Sequence, residues 1–326
     1  MIIARSPVRI SFFGGGTDYP EYFIQHGGAV LATAVDKYSY VTASRFYSDL
    51  FDYSIRIQYR QVESITRVDE IEHAVFRECL RFCKLERDIE LHTVADLPAF
   101  TGLGSSSSFT VALLQALHAF KGEFVPPLQL AYEAIHVERN LVKDRVGCQD
   151  QTLAAVGGFN LIEFRHEDDI LVHRLPVSPL RIDEFERHLF LVFTGITRKA
   201  SEIVAQQLQR VGDNRPTLAA MRRMVDQGWE ILTSNRPLHD FGLLLHEAWV
   251  AKRSLDGNVS NPAIDALYQA GRDAGALGGK LLGAGGGGFL LFFAPPEVRP
   301  RLQAAFADRV VLDVRIDAPG AEVIFA

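Results

Sequence analysis

The chain has 326 residues and a mass of 36.3 kDa, with 48% hydrophobic and 23% charged residues. These values are typical of a globular protein of about two domains with a sizeable core, and no apolar run is long enough for a membrane span. The net charge of -6 argues against a general nucleic-acid-binding protein, so a site for a phosphorylated ligand must be basic locally. Three cysteines and an N-terminus without a secretory signal predict a cytoplasmic protein.

The N-terminal third has the two-residue alternation of half-buried strands over 8–12, 38–46 and 55–59. A helical pattern follows over about 69–84, and another strand is predicted at about 89–94. The first of these strands leads directly into a run of three glycines.

This N-terminal segment, Arg9–Tyr19, has an arginine near the start of the strand and Asp18 just after the glycines. Consecutive glycines let the backbone approach a ligand closely, and an aspartate there could hold sugar hydroxyls. An aspartate after glycines is also ordinary turn chemistry, so a purely structural role stays open.

A loop rich in glycine and serine, Pro98–Ser108, runs directly into a helical pattern that ends at about Phe120. Gly102 and Gly104 can adopt positive φ, and the free amides of a helix N-terminus bind anions such as phosphate. No Gly-Lys-Ser/Thr follows the glycines, which excludes a Walker loop. The pattern predicts a phosphate-binding loop, with a simple N-cap before an apolar helix as the alternative.

Glu138 lies in a helix predicted from Pro127 to about Lys143, and its neighbours three and four residues away are apolar. A carboxylate in such a place is costly when buried, unless a cation or strong donors meet it. A magnesium ion would do so, because it binds carboxylate and phosphate oxygens. The alternatives are an ion pair with Arg139 or Arg145, or an exposed helix edge.

Asp150 lies at the start of a short predicted helix, twelve residues after Glu138. An acid in a first helical turn commonly stabilises the helix dipole. The functional alternative is a general base that accepts a hydroxyl proton during phosphoryl transfer.

After a glycine turn at 157–158 and a strand at 159–164, the polar stretch 165–187 is predicted to hold the domain junction. This divides the chain into an N-terminal domain over 1–180 and a C-terminal domain over 181–326. The second half has an α+β pattern. Its strands are predicted at 189–193, 289–293 and 310–316, and its helices at 198–211, 217–234, 238–255, 263–275 and 297–306.

The run Gly283–Gly288 formally matches the Gly-x-Gly-x-x-Gly pattern of dinucleotide-binding folds. A strand follows it instead of a helix, and it lies near the C-terminus, so we reject that interpretation. The run predicts a loop whose backbone can be approached closely.

Taken in order, three motifs resemble those of the GHMP kinases, a family named for galactokinase, homoserine, mevalonate and phosphomevalonate kinases. They cover 9–19, 98–108 and 280–288. The resemblance implies an α+β fold of two domains, an N-terminal one with a left-handed βαβ crossover and a ferredoxin-like C-terminal one. It also implies that ATP and Mg2+ are the cofactors and that the ligands bind between the domains.

The resemblance further implies residue roles. Asp150 would be the catalytic base or would orient the acceptor hydroxyl, and Arg9 would stand near the reacting oxygen. Ser106 and Glu138 would bind magnesium. The ATP phosphates would contact Gly102, Leu103, Gly104, Ser105, Ser106 and Ser107. The substrate would contact Gly15, Gly16, Thr17, Asp18, Tyr19, Arg198, Lys199, Gly285 and Gly286.

Within the family, segments 5–18, 36–38 and 194–199 are most similar to D-glycero-D-manno-heptose 7-phosphate kinases. Those enzymes phosphorylate the anomeric C1 hydroxyl in making nucleotide-activated heptose for surface polysaccharide. Galactokinases have a glutamate where this chain has Gly15, and its loss removes negative charge and bulk where an anionic 7-phosphate would need room. We expect a basic group among Arg198, Lys199, Lys252 and Arg253 to receive that phosphate.

Two alternatives stay open. One is a fucokinase-like or other sugar 1-kinase that acts on an unphosphorylated sugar, and the other is a non-catalytic sensor of sugar or nucleotide. The expected partners are a sugar phosphate and ATP, without nucleic acid or membrane, and a homo-oligomer is left open.

Overall fold

The structure, a computed structural model, describes residues 1–99, 101–197, 204 and 210–326. Its described strands form two sheets, one of eight strands and one of four. The strands are β1 (Ile2–Phe13), β2 (Gly28–Arg45), β3 (Ile55–Gln58), β4 (Val62–Ile65), β5 (Ile89–Ala95), β6 (Phe159–His166), β7 (Asp169–Arg174), β8 (Leu189–Phe193), β9 (Gly278–Leu281), β10 (Phe289–Phe293), β11 (Val311–Leu312) and β12 (Glu322–Phe325). The helices are α1 (Pro20–His26), α2 (Ala74–Cys83), α3 (Ser105–Lys121), α4 (Pro127–His136), α5 (Gln149–Val156), α6 (Pro179–Arg187), α7 (Val211–Thr233), α8 (Leu238–Arg253), α9 (Pro262–Asp273) and α10 (Arg299–Ala305).

The first sheet is built around the long strand β2. It pairs antiparallel with β1 on one side, and on the other with β6 through its first part and β5 through its last part. Strands β3 and β5 are parallel, and the chain between them contains β4 and α2, which makes a βαβ unit. Helix α3 packs on β1 and β2. The helix that follows the predicted phosphate loop is therefore held against the centre of the sheet.

The second sheet has the antiparallel order β11-β8-β10-β9, and α8 packs on β9. One aromatic cluster joins it to the first sheet. The ring of Phe12 in β1 lies 5.3 Å from that of Phe185 and 5.4 Å from that of Phe241, and Phe241 lies 5.2 Å from Phe293 in β10. Because these rings are buried together, the two sheets share one hydrophobic core.

The predicted α+β fold class is confirmed. Most of the predicted strands and helices are present, but their first or last residues differ from the predicted bounds. The stretch 165–187 contains β7 and α6, and the strand predicted at 310–316 is only two residues long. The sequence pattern does not predict β4, β7 or β12, because short, partly exposed strands have little apolar alternation. The helix predicted at 198–211 lies mostly outside the described residues.

The C-terminal strand β12 returns to pair with β1 in the first sheet. The division of the chain near residue 180 stays a prediction. Across the described ranges, the helices are too short or too polar to cross a bilayer.

Candidate active site

The predicted phosphate loop ends in a helix N-terminus. Gly104 is the N-cap of α3 and has φ of 76°, which is in the left-handed region. The first amides of the helix, at Ser105, Ser106 and Ser107, have no acceptor within a helix of this kind. Their position at the positive end of the helix dipole suits a phosphate.

The loop packs backbone to backbone against the C-terminal glycine run. A Cβ atom added at Gly283 would lie 2.6 Å from the Cα of Gly102, and one added at Gly102 would lie 2.6 Å from the carbonyl oxygen of Leu282. The amide of Phe289 also donates to the carbonyl of Thr101 at 3.1 Å. Glycine at these positions lets the second and third motifs touch, although about 180 residues separate them.

Arg9 joins the first motif to both the loop and Asp150. Its amide donates to the carbonyl of Leu103 at 2.9 Å, and Nη1 donates to the carbonyl of Gly102 at 2.7 Å. Nε and Nη2 donate to the two carboxylate oxygens of Asp150 at 2.8 and 2.7 Å. This paired geometry fixes both side chains in a single orientation beside Gly104.

Asp18 lies at the N-terminus of α5, next to Asp150. Its carboxylate accepts from the amides of Gly16 at 3.0 Å and Gln149 at 3.3 Å. Burial raises the pKa of Asp18, and the negative charge of Asp150 raises it further. The glycine run, Asp18 and the start of α5 therefore form one wall of the site.

Glu138 lies in a single π-helical turn, Val137–Leu141, at the end of α4. Such turns often occur at functional sites. The side chain is 2% exposed, and its carboxylate accepts from the hydroxyls of Ser107 at 2.9 Å and Thr110 at 2.6 Å and from the amide of Gln151. Burial raises the pKa of Glu138 to about 7.

The surroundings of Glu138 fit a cation. Within the described part of the chain, neither Arg139 nor Arg145 pairs with it, and Arg139 instead donates to the carbonyl of Val146. Gln151 donates to Glu138 through Nε2, and no described residue donates to its buried Oε1, an atom that could accept from a metal-bound water. Among the described residues there is no group of three or more His, Cys, Asp or Glu that could hold a metal ion.

The hydroxyl groups that contact Glu138 are not that of Ser106, the serine predicted to bind the metal. Ser106 has an exposed side chain, whereas Ser107 and Thr110 face the carboxylate. These two are three residues apart on α3 and so share one face of the helix. The role of Ser106 as a metal ligand stays a prediction.

Two buried lysines stand behind the loop. Nζ of Lys280 donates to the carbonyls of Ser11 at 3.0 Å and Phe12 at 2.8 Å, and Nζ of Lys252 donates to those of Leu281 at 2.9 Å and Gly283. Burial lowers the pKa of both, that of Lys280 to about 7, and Arg9 contributes in each case. Lys280 thereby ties the second sheet to the first motif.

The other predicted substrate contacts divide into distinct sets. Gly15, Gly16 and Tyr19 are partly exposed at the site, whereas Thr17 is buried and its hydroxyl bonds to Gly14 and Ala29. The backbone at Gly285 and Gly286 packs on Val259, to which Gly286 donates at 3.0 Å. Arg198 and Lys199 lie outside the described residues. Arg253 is exposed and pairs with Asp265 at 3.1 Å.

Sequence reasoning missed several polar side chains that line the site. They are Ser11, Thr110, Gln149, Gln151 and, as a buried cation, Lys280. The two glutamines flank Asp150, so their place next to a candidate catalytic residue was a usable signal. Ser11 and Lys280 belong to the first and third motifs, but nothing local indicated their contact, because only the packing of distant strands brings them together.

The sequence matches two family models, "GHMP kinases N terminal domain" over residues 71–158 and "GHMP kinases C terminal" over residues 232–311. A D-glycero-alpha-D-manno-heptose 7-phosphate kinase of Campylobacter jejuni is 29% identical over 312 residues, which cover 92% of this chain and 91% of the relative. The L-fucokinase/L-fucose-1-P guanylyltransferase of Bacteroides fragilis is 26% identical over 99% of this chain, which spans 37% of that relative.

Among solved structures, a D-glycero-D-manno-heptose 1-phosphate kinase from Bacteroides thetaiotaomicron superposes with a TM-score of 0.82. The alignment covers 100% of this chain and 99% of that one, at 23% identity. At this identity the likeness supports the fold.

Proposed function

The chain belongs to the GHMP kinase family and is a sugar kinase of that family, and on this premise we propose its reaction. It transfers the γ-phosphoryl group of ATP to the anomeric C1 hydroxyl of D-glycero-D-manno-heptose 7-phosphate and releases the 1,7-bisphosphate. The observation that supports a phosphoryl transfer most directly is the Arg9–Asp150 pair, held at 2.7 to 2.8 Å beside Gly104 of the phosphate loop.

The loop supplies the place for ATP. The free amides at Ser105–Ser107 and the dipole of α3 hold the phosphates, and the packing of Gly102 on Gly283 fixes the loop. Glu138 would hold the magnesium ion together with Ser106, and the ion, when bound, neutralises charge on the phosphates. Glu138 has to be ionised for that role.

Asp150 acts on the acceptor. Its carboxylate orients the C1 hydroxyl and accepts its proton as the hydroxyl oxygen bonds to the γ-phosphorus and the bond to the β,γ-bridging oxygen breaks. Arg9 keeps both carboxylate oxygens in place through the transfer, and its charge offsets the negative charge that develops on the transferred group. Catalysis thus rests mainly on positioning.

The choice of sugar rests on two observations. The Campylobacter jejuni relative named as a heptose 7-phosphate kinase matches over nearly the whole chain. Gly15 stands in the site without a side chain, which leaves room and no negative charge for an anionic substrate. The residues that receive the 7-phosphate are expected among Arg198, Lys199 and Arg253, because Lys252 is buried against two carbonyls.

A fucokinase-like reaction on an unphosphorylated sugar is the second candidate, since the match to the Bacteroides fragilis relative covers 99% of this chain. A non-catalytic sensor is disfavoured, because a sensor has no need for a bidentate Arg9–Asp150 pair.

The test is ADP release with ATP and Mg2+ across heptose 7-phosphate, unphosphorylated heptose, fucose, galactose and mannose. We expect activity with heptose 7-phosphate and loss of it in Asp150→Asn. Strong activity with a neutral sugar alone would refute the heptose phosphate assignment and favour the second candidate. No ADP release with any sugar would refute the kinase reaction.

A further inference from the structure

Two buried polar groups in the site have no hydrogen-bond partner among the residues that the structure describes. Oγ of Ser11 and Oε1 of Gln149 are both buried, and their residues are 8% and 9% exposed. A buried polar atom without a partner is unfavourable and uncommon. A ligand that supplied the missing partners would be stabilised.

Both groups lie beside the same glycine. A Cβ atom at Gly15 would lie 3.7 Å from Oγ of Ser11 and 3.8 Å from Nε2 of Gln149. Apart from Gly15 and its two chain neighbours, no other atom of the described residues would lie within 4 Å of it. Gly15 is partly exposed and does not have a positive φ. The space above Gly15 is therefore open on one side and bordered by these two polar groups on the other.

The position of this space follows from the catalytic pair. Ser11 is two residues after Arg9 in β1, within a regular stretch of the β1–β2 pairing, so the two side chains lie on the same face about 7 Å apart. Gln149 directly precedes Asp150, and its amide donates to Asp18 at 3.3 Å. A sugar whose anomeric hydroxyl meets Asp150 thus has another part of its ring near Ser11 and Gln149.

We propose that the Ser11 hydroxyl and the Gln149 carboxamide together hydrogen-bond one non-anomeric hydroxyl of the sugar above Gly15. This inference deepens the proposed sugar kinase function and rests on it. A sugar hydroxyl can satisfy both side chains, because it can accept one hydrogen bond and donate another. It can accept from Nε2 of Gln149 and donate to Oγ of Ser11, or accept from Oγ of Ser11 and donate to Oε1 of Gln149. Such a site selects strongly against a sugar that lacks the hydroxyl, because the polar groups of the site then stay unpaired.

The test uses the 2-, 3-, 4- and 6-deoxy analogues of heptose 7-phosphate, or the 2-, 3- and 4-deoxy analogues of whichever neutral sugar the wild-type enzyme accepts. For one analogue we expect kcat/KM to fall about 10- to 100-fold relative to the parent sugar. In the double variant Ser11→Ala/Gln149→Met, kcat/KM for the parent should fall, and that analogue should then react within about 3-fold of the parent.

The matched control is Ser44→Ala/Gln269→Met, which makes the same two changes in β2 and α9, away from the site. It should keep the wild-type discrimination. Gly15→Ala is a third variant, because its methyl group fits without strain and fills the space. It should raise KM for the parent sugar while KM for ATP and the melting temperature stay unchanged, and it gives a readout even if the double variant fails to fold.

The outcomes separate the two claims. Turnover of a sugar with equal kcat/KM for all its deoxy analogues would overturn the role of Ser11 and Gln149 and leave the kinase function standing. Discrimination that persists in the double variant, or a Gly15→Ala enzyme with unchanged KM for the sugar, would overturn it as well. Absence of turnover with every sugar would instead refute the kinase function itself.

Discussion

Arg9 and Asp150, 141 residues apart in the chain, face each other through two parallel hydrogen bonds of 2.8 and 2.7 Å. Asp150→Asn keeps the shape but replaces one oxygen by an amide that cannot accept a proton. We expect kcat to fall by about 10²- to 10⁴-fold, the usual contribution of a positioned acid or base. Steady-state ADP release measures it, with ATP binding followed by calorimetry.

The control for that variant is a change of similar chemistry at a surface pair, Asp226→Asn, whose partner Arg222 lies one helical turn away. It should leave kcat unchanged. Full turnover in Asp150→Asn would mean that the carboxylate only holds Arg9 in place.

Glu138→Gln should weaken the use of magnesium. The amide keeps the size of the side chain and can still accept from Thr110, but it lacks the charge that would hold a cation. We expect the Mg2+ concentration for half-maximal rate to rise about tenfold or more. Glu78→Gln is the matched control, because Glu78 is a buried glutamate that pairs with Arg77 and Arg81. An unchanged Mg2+ requirement in Glu138→Gln would identify Glu138 as purely structural.

The raised pKa of Glu138 predicts that the stability of the protein depends on pH. Its pKa is raised from 4.5 to about 7 in the folded protein, so the folded state binds a proton that the unfolded state releases. The resulting stabilisation is complete below about pH 4.5 and is lost as the pH rises to about 7. Urea unfolding in EDTA at a series of pH values should show this decline, and the decline should be shallower in Glu138→Gln. Equal slopes in both proteins would contradict the prediction.

The lowered pKa of Lys280 predicts that the free energy of unfolding rises with pH, in the range above about pH 7. Its pKa is lowered from 10.5 to about 7, so the unfolded chain binds a proton that the folded protein releases. Its contribution to stability therefore grows as the pH rises from about 7 toward 10.5 and is lost as the pH falls through 7. Lys280→Met should flatten this rise in the free energy of unfolding, whereas Lys37→Met, at a partly exposed surface pair, should not.

Gly283→Ala should disturb the ATP site from a distance in sequence. The added methyl group would lie 2.6 Å from the Cα of Gly102, and Gly283 has φ of 72°, which alanine adopts only with strain. We expect a loss of about 1–3 kcal/mol in the free energy of unfolding and a higher KM for ATP. Gly257→Ala is the control, because no atom of the described residues beyond its chain neighbours lies within 4 Å of the added Cβ. A normal KM for ATP in Gly283→Ala would show that this contact does not position the loop.

The sequence predicted the elements whose signal is local. The strand Leu189–Phe193 and the strand Phe289–Phe293 were placed correctly because continuous apolar runs mark buried strands. The helix start at Ser105 was also predicted, because a glycine and serine loop precedes an apolar helical pattern, and phosphate binding by that loop stays a prediction. The edge strands β4 and β12 were missed because they are partly exposed, and only pairing with β3 and β1 defines them.

For the candidate site, the sequence by itself determined the candidate residues. Glu138 was a carboxylate on an apolar helix face, Asp150 an acid at a helix start twelve residues later, and Arg9 an arginine in the strand before three glycines. Only the tertiary structure decided what each one meets. It pairs Arg9 with Asp150, and it turns Ser107 and Thr110 toward Glu138 while Ser106 is exposed. It also brings Ser11 and Gln149 next to the same glycine, Gly15. The reason is physical: periodicity and turn chemistry act over a few residues, whereas burial and hydrogen bonding between distant segments depend on how the whole chain packs.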